Sequence, residues 1–394
     1  MRGLPAAPIR PAWRPMLAHT AAGPPRYVPR AHTRAGVTPI IRSDKPMQLE
    51  LFHDYKSEHS GMTVDHVSHK VLDAKQQLAQ LTAIEICAGA GGQALGLSLA
   101  GFEHVALIEY EKDYCDILKK NRPDWNVICN DIRHFCGKKY YNQIDLLAGG
   151  VPCPPFSVAG KQLGEADERD LFPEAIRLLS EINPRAVMIE NVRGLLDSRF
   201  DNYRNSILKK ISDLGYRVQI KLLNASDYGV AQLRPRVIVI GIRNDIQTEF
   251  SYPDVQPQSA ITVAEAIGDL MNLNHWQGYN QWLEKADCIA PTIVGGSKKH
   301  GGPDLGPARA RKAWASIGID GLGIANDSPE ADFVGNPRLT PRMLARIQGF
   351  PDTWEFGAKK TAACRMIGNA FPPPVAKAVG EKIKEVLQND SNNS

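Results

Sequence analysis

Ala83-Ile84-Glu85-Ile86-Cys87, then Ala88-Gly89-Ala90-Gly91-Gly92, then Gln93 to Ala100 closing at Gly101, is the stretch on which the fold turns. A short apolar run, a glycine-rich turn and a segment carrying Leu95, Leu97 and Leu99 predict strand, turn and helix in immediate succession. The unit repeats. His104 to Ile108 reads as a second strand ending in Glu109, Glu111 to Asn121 as a helix, and Asn126 to Cys129 as a third strand ending at Asp131. A strand at Ile144 to Ala148, a helix at Leu171 to Ile182, a strand at Ala186 to Ile189 and a helix near Tyr203 to Leu214 follow. Two further strands, Arg217 to Leu223 and Arg236 to Ile242, complete the series. Such alternation predicts an α/β fold with a mostly parallel sheet covered by helices on both faces, and ligands bind such sheets beyond the strand C-termini.

Beyond about Pro253 the alternation stops. Residues 271–330 mix glycines, tryptophans and basic residues and read as a separate, loop-rich region. Thr340-Pro341, a side-chain cap followed by proline at the first helical position, restarts regular structure, which runs to Gln348 and stops at Gly349. A last helix at Pro374 to Leu387 aligns Val375, Val379, Ile383 and Val386 on one face and is expected to pack back onto the sheet. The expected organisation is a basic Pro-rich extension at 1–46, a linker or helix at 47–80 and an α/β domain at 81–253. A smaller, loop-rich domain at 254–335, a return to the first domain at 336–388 and a disordered tail at 389–394 complete it.

Composition sets outer bounds. With 394 residues and 43% hydrophobic content, the chain holds one large or two medium domains of an ordinary globular protein, and no stretch reads as a membrane span. Its seven cysteines are scattered without a C-x-x-C pair, which signals neither a disulfide framework nor a zinc site, so no metal is expected and the cytoplasm is the natural compartment. The net charge of +4 is unevenly spread. Seven arginines and no acid before residue 44 suit a disordered arm, or a start assigned too early with Met47 as the true one; without them the body is near neutral.

The chemistry gathers at predicted strand ends. Gly89, Gly91 and Gly92 between strand and helix allow close approach of a nucleotide-like cofactor. Glu109 ends the second strand, where an acid accepts hydrogen bonds from ribose hydroxyls, and Asp131 ends the third, where one accepts from an adenine amino group. Together they favour an adenosine cofactor, while the lack of a full G-x-G-x-x-G argues against a nicotinamide dinucleotide. Cys153, between Pro152 and Pro154-Pro155, follows the fourth strand on a stiff turn that presents a thiol. Glu190-Asn191-Val192 ends the fifth, placing a carboxyl on the same rim, suited to general-acid work if buried. Gln232-Leu233-Arg234-Pro235-Arg236 puts two arginines where they can hold the thiol-bearing loop and a polar substrate.

Taken in order, Glu85 to Gly92, Pro152 to Ser157, Glu190-Asn191-Val192, Gln232-x-Arg234-x-Arg236, Arg338-Leu339-Thr340 to Gln348-Gly349-Phe350-Pro351, and Ile367-Gly368-Asn369-Ala370 resemble the DNA (cytosine-5) methyltransferases over residues 81–388. The resemblance implies a Rossmann-like methyltransferase fold using S-adenosylmethionine, held by Cys87, Ala88, Gly89, Gly91, Gly92, Glu109, Tyr110, Asp131, Ile132, Asn369 and Ala370. It makes Cys153 the nucleophile that adds to cytosine carbon 6. Glu190 becomes the residue that bonds or protonates ring N3, Arg236 the contact to the O2 edge, and Arg234 and Gln232 their supports. The substrate is double-stranded DNA with the target base flipped out, and the segment Val158 to Arg169 matches the mobile loop that closes over it. Lys161 and Gln162 there, with Lys298, Lys299, Arg309, Arg311 and Lys312 in the recognition region, are the expected DNA contacts, only Asp304 lying among the latter group.

Two positions depart from the family pattern. Cys87 stands where many relatives carry phenylalanine, leaving Tyr110 to stack on adenine, and Pro154 stands where many carry glutamine. A compact enzyme of single specificity suits bacterial self-protection beside a restriction endonuclease acting on the same site, as a monomer in the bacterial cytoplasm, associated with the nucleoid through DNA. Two rivals share these motifs: a transfer-RNA cytosine-5 methyltransferase and a DNA-binding relative without turnover. The roughly 80 residues between Pro253 and Asp332 favour DNA over the first, and intact Cys153, Glu190 and Arg236 weigh against the second.

Overall fold

A computed structural model describes residues 80–152, 170–255, 260–295, 304–357 and 359–393. Seven strands form one sheet: β1 (Leu81–Ile86), β2 (Phe102–Glu109), β3 (Val127–Cys129), β4 (Leu146–Gly150), β5 (Ala186–Val192), β6 (Tyr216–Asn224) and β7 (Pro235–Arg243). Their order is β3-β2-β1-β4-β5-β7-β6. The first five run parallel, and β7 inserts antiparallel between β5 and β6. The strand order reverses at β1 and β4: chain from β1 proceeds outward through β2 and β3, whereas β4 leads the other way through β5. A crevice opens beyond the strand C-termini at such a switch point.

The central strands are buried on both faces and so read as nearly unbroken apolar runs. In β1, Ile84 and Ile86 face one helix layer, with Phe172, Leu178 and Ile182 of α3 (Phe172–Ile182) and Ile207 and Ile211 of α4 (Asp201–Asp213). Leu81 and Ala83 face the other, formed by α1 (Gly92–Leu99) and α10 (Pro373–Asn393). The expected apolar stripe of the last helix is fully used: Val375, Val379, Ile383 and Val386 are all buried, each contributing roughly 1.5–3 kcal/mol. Gly96 lets the two helices approach, since a Cβ there would lie 2.5 Å from that of Ala376. α2 (Lys112–Asn121) links β2 to β3.

The late region holds more regular structure than its glycines suggest. α5 (Val263–Met271), α6 (Tyr279–Ala286) and α7 (Ala308–Ser316) lie there, and Thr262 and Glu265 close a reciprocal capping box on α5. Trp276, Trp282 and Trp314 are buried in a cluster that continues through Leu95, Leu118 and Trp125 of the first half. α8 (Pro341–Ile347) starts on the Thr340 cap as expected, with Met343 N donating to Thr340 Oγ1, and α9 (Lys360–Asn369) precedes the return to α10. No helix among the described residues is long and apolar enough to cross a membrane.

Candidate active site

The cleft lies at the switch point. A cavity of about 70 Å³ is lined by Glu85, Cys87, Ala88, Gly89, Ala90, Gly92 and Gln93 from β1 and the turn into α1, by Gly150 of β4 and by Glu190 of β5. Tyr114 of α2 and Met366, Asn369, Ala370 and Phe371 of the returning segment complete it. The turn depends on its glycines. Gly91 caps α1 in the left-handed region at φ 87°, and a Cβ on Gly92 would overlap the carbonyl oxygen of Phe371. Gly89, also left-handed at φ 57°, has nothing within 4 Å of a Cβ position.

Of the residues expected to hold the cofactor, Cys87, Ala88, Gly89, Gly92, Asn369 and Ala370 line this cleft. Glu109 sits behind it and braces the turn: Oε2 accepts from Gly89 N at 2.7 Å and Oε1 from Glu111 N at 2.8 Å. Burial pushes the Glu109 carboxyl above its usual range, and these N–H donors pull it back. Asp131 caps the short turn at Ile132–His134, accepting from Arg133 N at 2.9 Å, while Ile132 is buried. Tyr110 is 68% exposed and does not line the cleft; the aromatic residues that do are Tyr114 and Phe371. Cys87 adopts φ 53°, and burial raises its thiol far above the ordinary value, with the charges of Glu109 and Asp131 adding to the rise.

Glu190 and Arg236 form the charged corner of the site. Arg236 Nε lies 2.7 Å from Glu190 Oε1, with both side chains nearly buried. β7 makes this pair by running antiparallel beside β5, with Arg236 opposite Val192 and Ile238 opposite Glu190. Burial raises the Glu190 carboxyl, opposed by the charges of Arg236 and then Arg234; burial likewise lowers Arg236. Glu190 also faces β4, since a Cβ on its register partner Gly150 would lie 3.1 Å from Glu190 Oε2. Asn191 Nδ2 donates to Val151 O at 3.0 Å, fixing the chain just before Pro152 and Cys153. Cys153, Lys161, Gln162, Lys298 and Lys299, together with the Val158 to Arg169 segment, lie outside the described residues.

Gln232 and Arg234 share a different, enclosed place. Arg234 is fully buried and donates to the carbonyls of Ile293 (2.8 Å), Gly368 and Ala370 (3.2 Å). Burial, then the charge of Arg236, lowers it. Gln232 Oε1 accepts from Ile293 N at 2.8 Å, its Nε2 donates to Gln348 Oε1 at 2.6 Å, and Gln348 passes the chain on to Ala370 O at 2.6 Å. The two arginines expected to act together thus divide: Arg236 pairs with Glu190, which lines the cleft, and Arg234 ties the returning segment to Ile293. In the late region Arg309 and Lys312 are exposed, whereas Arg311 pairs with Asp304 at 3.1 Å.

Sequence reading missed Glu85 and Gln93. Both are buried in the cleft lining, and among the described residues neither side chain makes a hydrogen bond of good geometry. His104 Nε2 lies 3.5 Å from Glu85 Oε2, beyond good hydrogen-bond length, and burial raises the Glu85 carboxyl. The available signal was an acid in the middle of an apolar strand: a buried Glu with its amide neighbour idle is stable only when something else satisfies it. These orphaned atoms, with the room over Gly89 and the Tyr114 ring, fit an adenosine cofactor bearing a charged amino-acid tail.

Comparison with known proteins agrees. The model of the C-5 cytosine-specific DNA methylases matches residues 81–385. The type II methyltransferase M.NgoMIV of Neisseria gonorrhoeae is 55% identical over 79% of this chain and 100% of its own length. M.NaeI of Lentzea aerocolonigenes is 48% identical over 79% of this chain and 76% of its own. Among solved structures, a DNA modification methyltransferase encoded within an Escherichia coli prophage shares the fold at TM-score 0.58 and 23% identity, covering 78% of this chain and 99% of that one. The Spodoptera frugiperda DNMT2 structure does so at TM-score 0.54 and 18% identity, covering 78% and 99%. The chain belongs to the C-5 cytosine-specific DNA methylase family and is a DNA cytosine-5 methyltransferase.

Proposed function

We propose that the chain transfers a methyl group from S-adenosylmethionine to carbon 5 of a cytosine flipped from a specific site in duplex DNA, through a covalent adduct on Cys153. One observation carries the reading: the buried Glu85 and Gln93, without a good hydrogen bond among the described residues, line the same cleft as Glu190, so a cofactor pocket and a charged catalytic corner are contiguous. Glu85 and Gln93 suit the ammonium and carboxylate of the cofactor's methionine end, Cys87, Gly89 and Tyr114 the adenosine, and Asn369 and Ala370 the opposite wall. Glu109 acts from behind by holding the Gly89 turn, and it remains the acid nearest the ribose position. When bound, S-adenosylmethionine supplies an electrophilic methyl group for a carbon 5 that has been made nucleophilic.

The chain's own residues create that nucleophile. An ordinary thiol, with pKa near 8.5, is only a few per cent ionised at neutral pH, so attack by Cys153 requires a neighbouring positive charge or base to favour its thiolate. Its thiolate bonds to carbon 6, and the electron pair moves toward ring N3. Glu190, held protonated more readily by burial, donates to N3 as that charge develops. Arg236 holds Glu190 in place and presents its guanidinium to the O2 edge. Release requires loss of the carbon 5 proton to a base, a role that water can fill, and expulsion of the thiolate from carbon 6. Gln232 and Arg234 position this corner without touching the base.

The organisation read from sequence fits the same picture. Residues 254–335 serve as target-recognition domain, with Arg309 and Lys312 free to meet phosphates and Arg311 tuned by Asp304. The two most informative relatives bear type II methyltransferase names, which supports a place in restriction-modification beside a separate endonuclease, the enzyme itself acting as a monomer. Duplex DNA carrying 5-fluorocytosine tests the reading, because fluorine at carbon 5 blocks the final elimination. A stable adduct with DNA is expected; an adduct only with RNA would assign a transfer-RNA enzyme, and none with either would leave a DNA-binding relative. Bisulfite sequencing of DNA from a host expressing the protein then identifies the site.

A further inference from the structure

Two glycines from distant parts of the chain meet behind the cleft. A Cβ on Gly368 would lie 2.5 Å from both Cα and N of Gly295 and 3.0 Å from the carbonyl carbon of Val294. From the other side, a Cβ on Gly295 would overlap Asn369 Oδ1 and sit 2.6 Å from Asn369 Cγ and 2.7 Å from Asn369 N. Neither backbone is in the left-handed region. Conformation therefore leaves both positions open to any residue, and it is contact that requires glycine. The contact is clamped on both sides, because Arg234 donates at once to Ile293 O and Gly368 O, while Gln232 accepts from Ile293 N.

The consequence is functional because of what sits at the far end. Asn369 and Ala370 line the cleft, and the Asn369 side chain lies directly over Gly295. Gly295 does not itself line that cavity but packs against Asn369, which does, and it belongs to the segment leading into the basic stretch around Lys298 and Lys299. We propose that Gly295, through its contact with Gly368, is a positioning residue for Asn369, so that the entry to the recognition region sets the shape of the cofactor wall. This rests on the cofactor reading above. Packed elements of this kind shift as units, so a displacement of residues 293–295 moves Asn369 with them.

The test is Gly295→Ala, with S-adenosylhomocysteine binding followed by calorimetry and methyl transfer to unmodified duplex DNA followed by tritium. The expected result is at least a tenfold loss of S-adenosylhomocysteine affinity and a matching rise in KM for S-adenosylmethionine, with KM for DNA within twofold of wild type. Asn369→Ser removes the group that the new methyl strikes first. In that background the same Gly295→Ala change is expected to cost threefold or less, a non-additivity that general destabilisation would not produce. Equal affinity of wild type and Gly295→Ala, or additive losses in the cycle, overturns the proposal. If Gly295→Ala alone fails to fold, the double variant is expected to fold and to melt within a few degrees of Asn369→Ser, and a double variant that also fails overturns it. A wild-type protein that binds no S-adenosylhomocysteine defeats the cofactor reading and the proposal with it, whereas binding by wild type with no effect of Gly295→Ala defeats the proposal alone.

Discussion

The floor of the cleft and its outer wall are built from the same residue types to opposite ends. On the floor, β1, α1, β5 and β7 present Glu85, Gln93 and the Glu190–Arg236 pair, the first two without a good hydrogen bond among the described residues and the last two matched to each other. In the wall, Gln232, Arg234 and Gln348 spend their hydrogen bonds on one another and on the backbone of Ile293, Gly368 and Ala370, with Arg234 Nε alone left over. Unpartnered buried polar atoms cost stability, and satisfied ones cost little. The floor is therefore held ready for ligands at the expense of the fold, while the wall is a structural joint. Two arginines only two residues apart fall on opposite sides of that division.

Substitutions at Cys153 and on the floor are expected to remove activity and spare the fold. Cys153→Ala should abolish both methyl transfer and the 5-fluorocytosine adduct, and persistent methylation of DNA would sink the mechanism. Glu190→Gln should lower kcat by roughly 10²–10⁴-fold, the usual worth of a positioned acid. The pH dependence supplies a second readout. Burial raises the Glu190 carboxyl in the folded state. Its contribution to stability is then fully present below the ordinary carboxyl range and is lost as pH rises through the raised folded value. The same titration removes the proton donated to N3, so the wild-type rate should fall along that limb. Glu190→Gln should flatten both curves, and an unchanged alkaline limb would assign the titration to another group.

The wall should behave in reverse. Arg234→Met leaves the carbonyls of Ile293, Gly368 and Ala370 without their donor. A loss of about 3 kcal/mol is expected, with a fall in Tm of roughly 5 °C or more. Activity per folded molecule should fall far less than in Glu190→Gln. Thermal melting beside initial rates measured well below the variant's Tm separates the two, and a variant that melts like wild type yet is inactive would move Arg234 into the chemistry.

How much of this could be read from the chain follows from physics. The Gly89-Ala90-Gly91-Gly92 turn was legible because each glycine stands where a side chain would collide or a left-handed backbone is needed. The strand ends carrying Glu109, Asp131 and Glu190 were legible because apolar runs stop abruptly at polar residues. The antiparallel insertion of β7 between β5 and β6 was not, since a strand's own sequence does not name its neighbours. Yet that insertion creates the Glu190–Arg236 pair. The division between Arg234 and Arg236 was hidden for a related reason: alternation predicts which residues share a side, but the carbonyls of Gly368 and Ala370 that claim Arg234 come from 134 and 136 positions away. In the late region, Thr262-x-x-Glu265 was a helix start in plain view, masked by the density of glycines further on.

Gln93 offers the finest test of the division. Its amide is buried at 4% exposure in the cleft, and among the described residues neither Oε1 nor Nε2 has a hydrogen-bond partner. If those atoms wait for the cofactor's methionine end, Gln93→Leu removes one hydrogen-bonding group from the bound state and relieves an unsatisfied group in the free state. Affinity for S-adenosylhomocysteine should then fall about two- to tenfold, while Tm stays level or rises. A merely structural glutamine predicts the opposite pairing, with lower Tm and unchanged affinity. Calorimetric binding and thermal melting on one preparation decide between them, and unchanged affinity with lower Tm would transfer Gln93 from the floor to the wall.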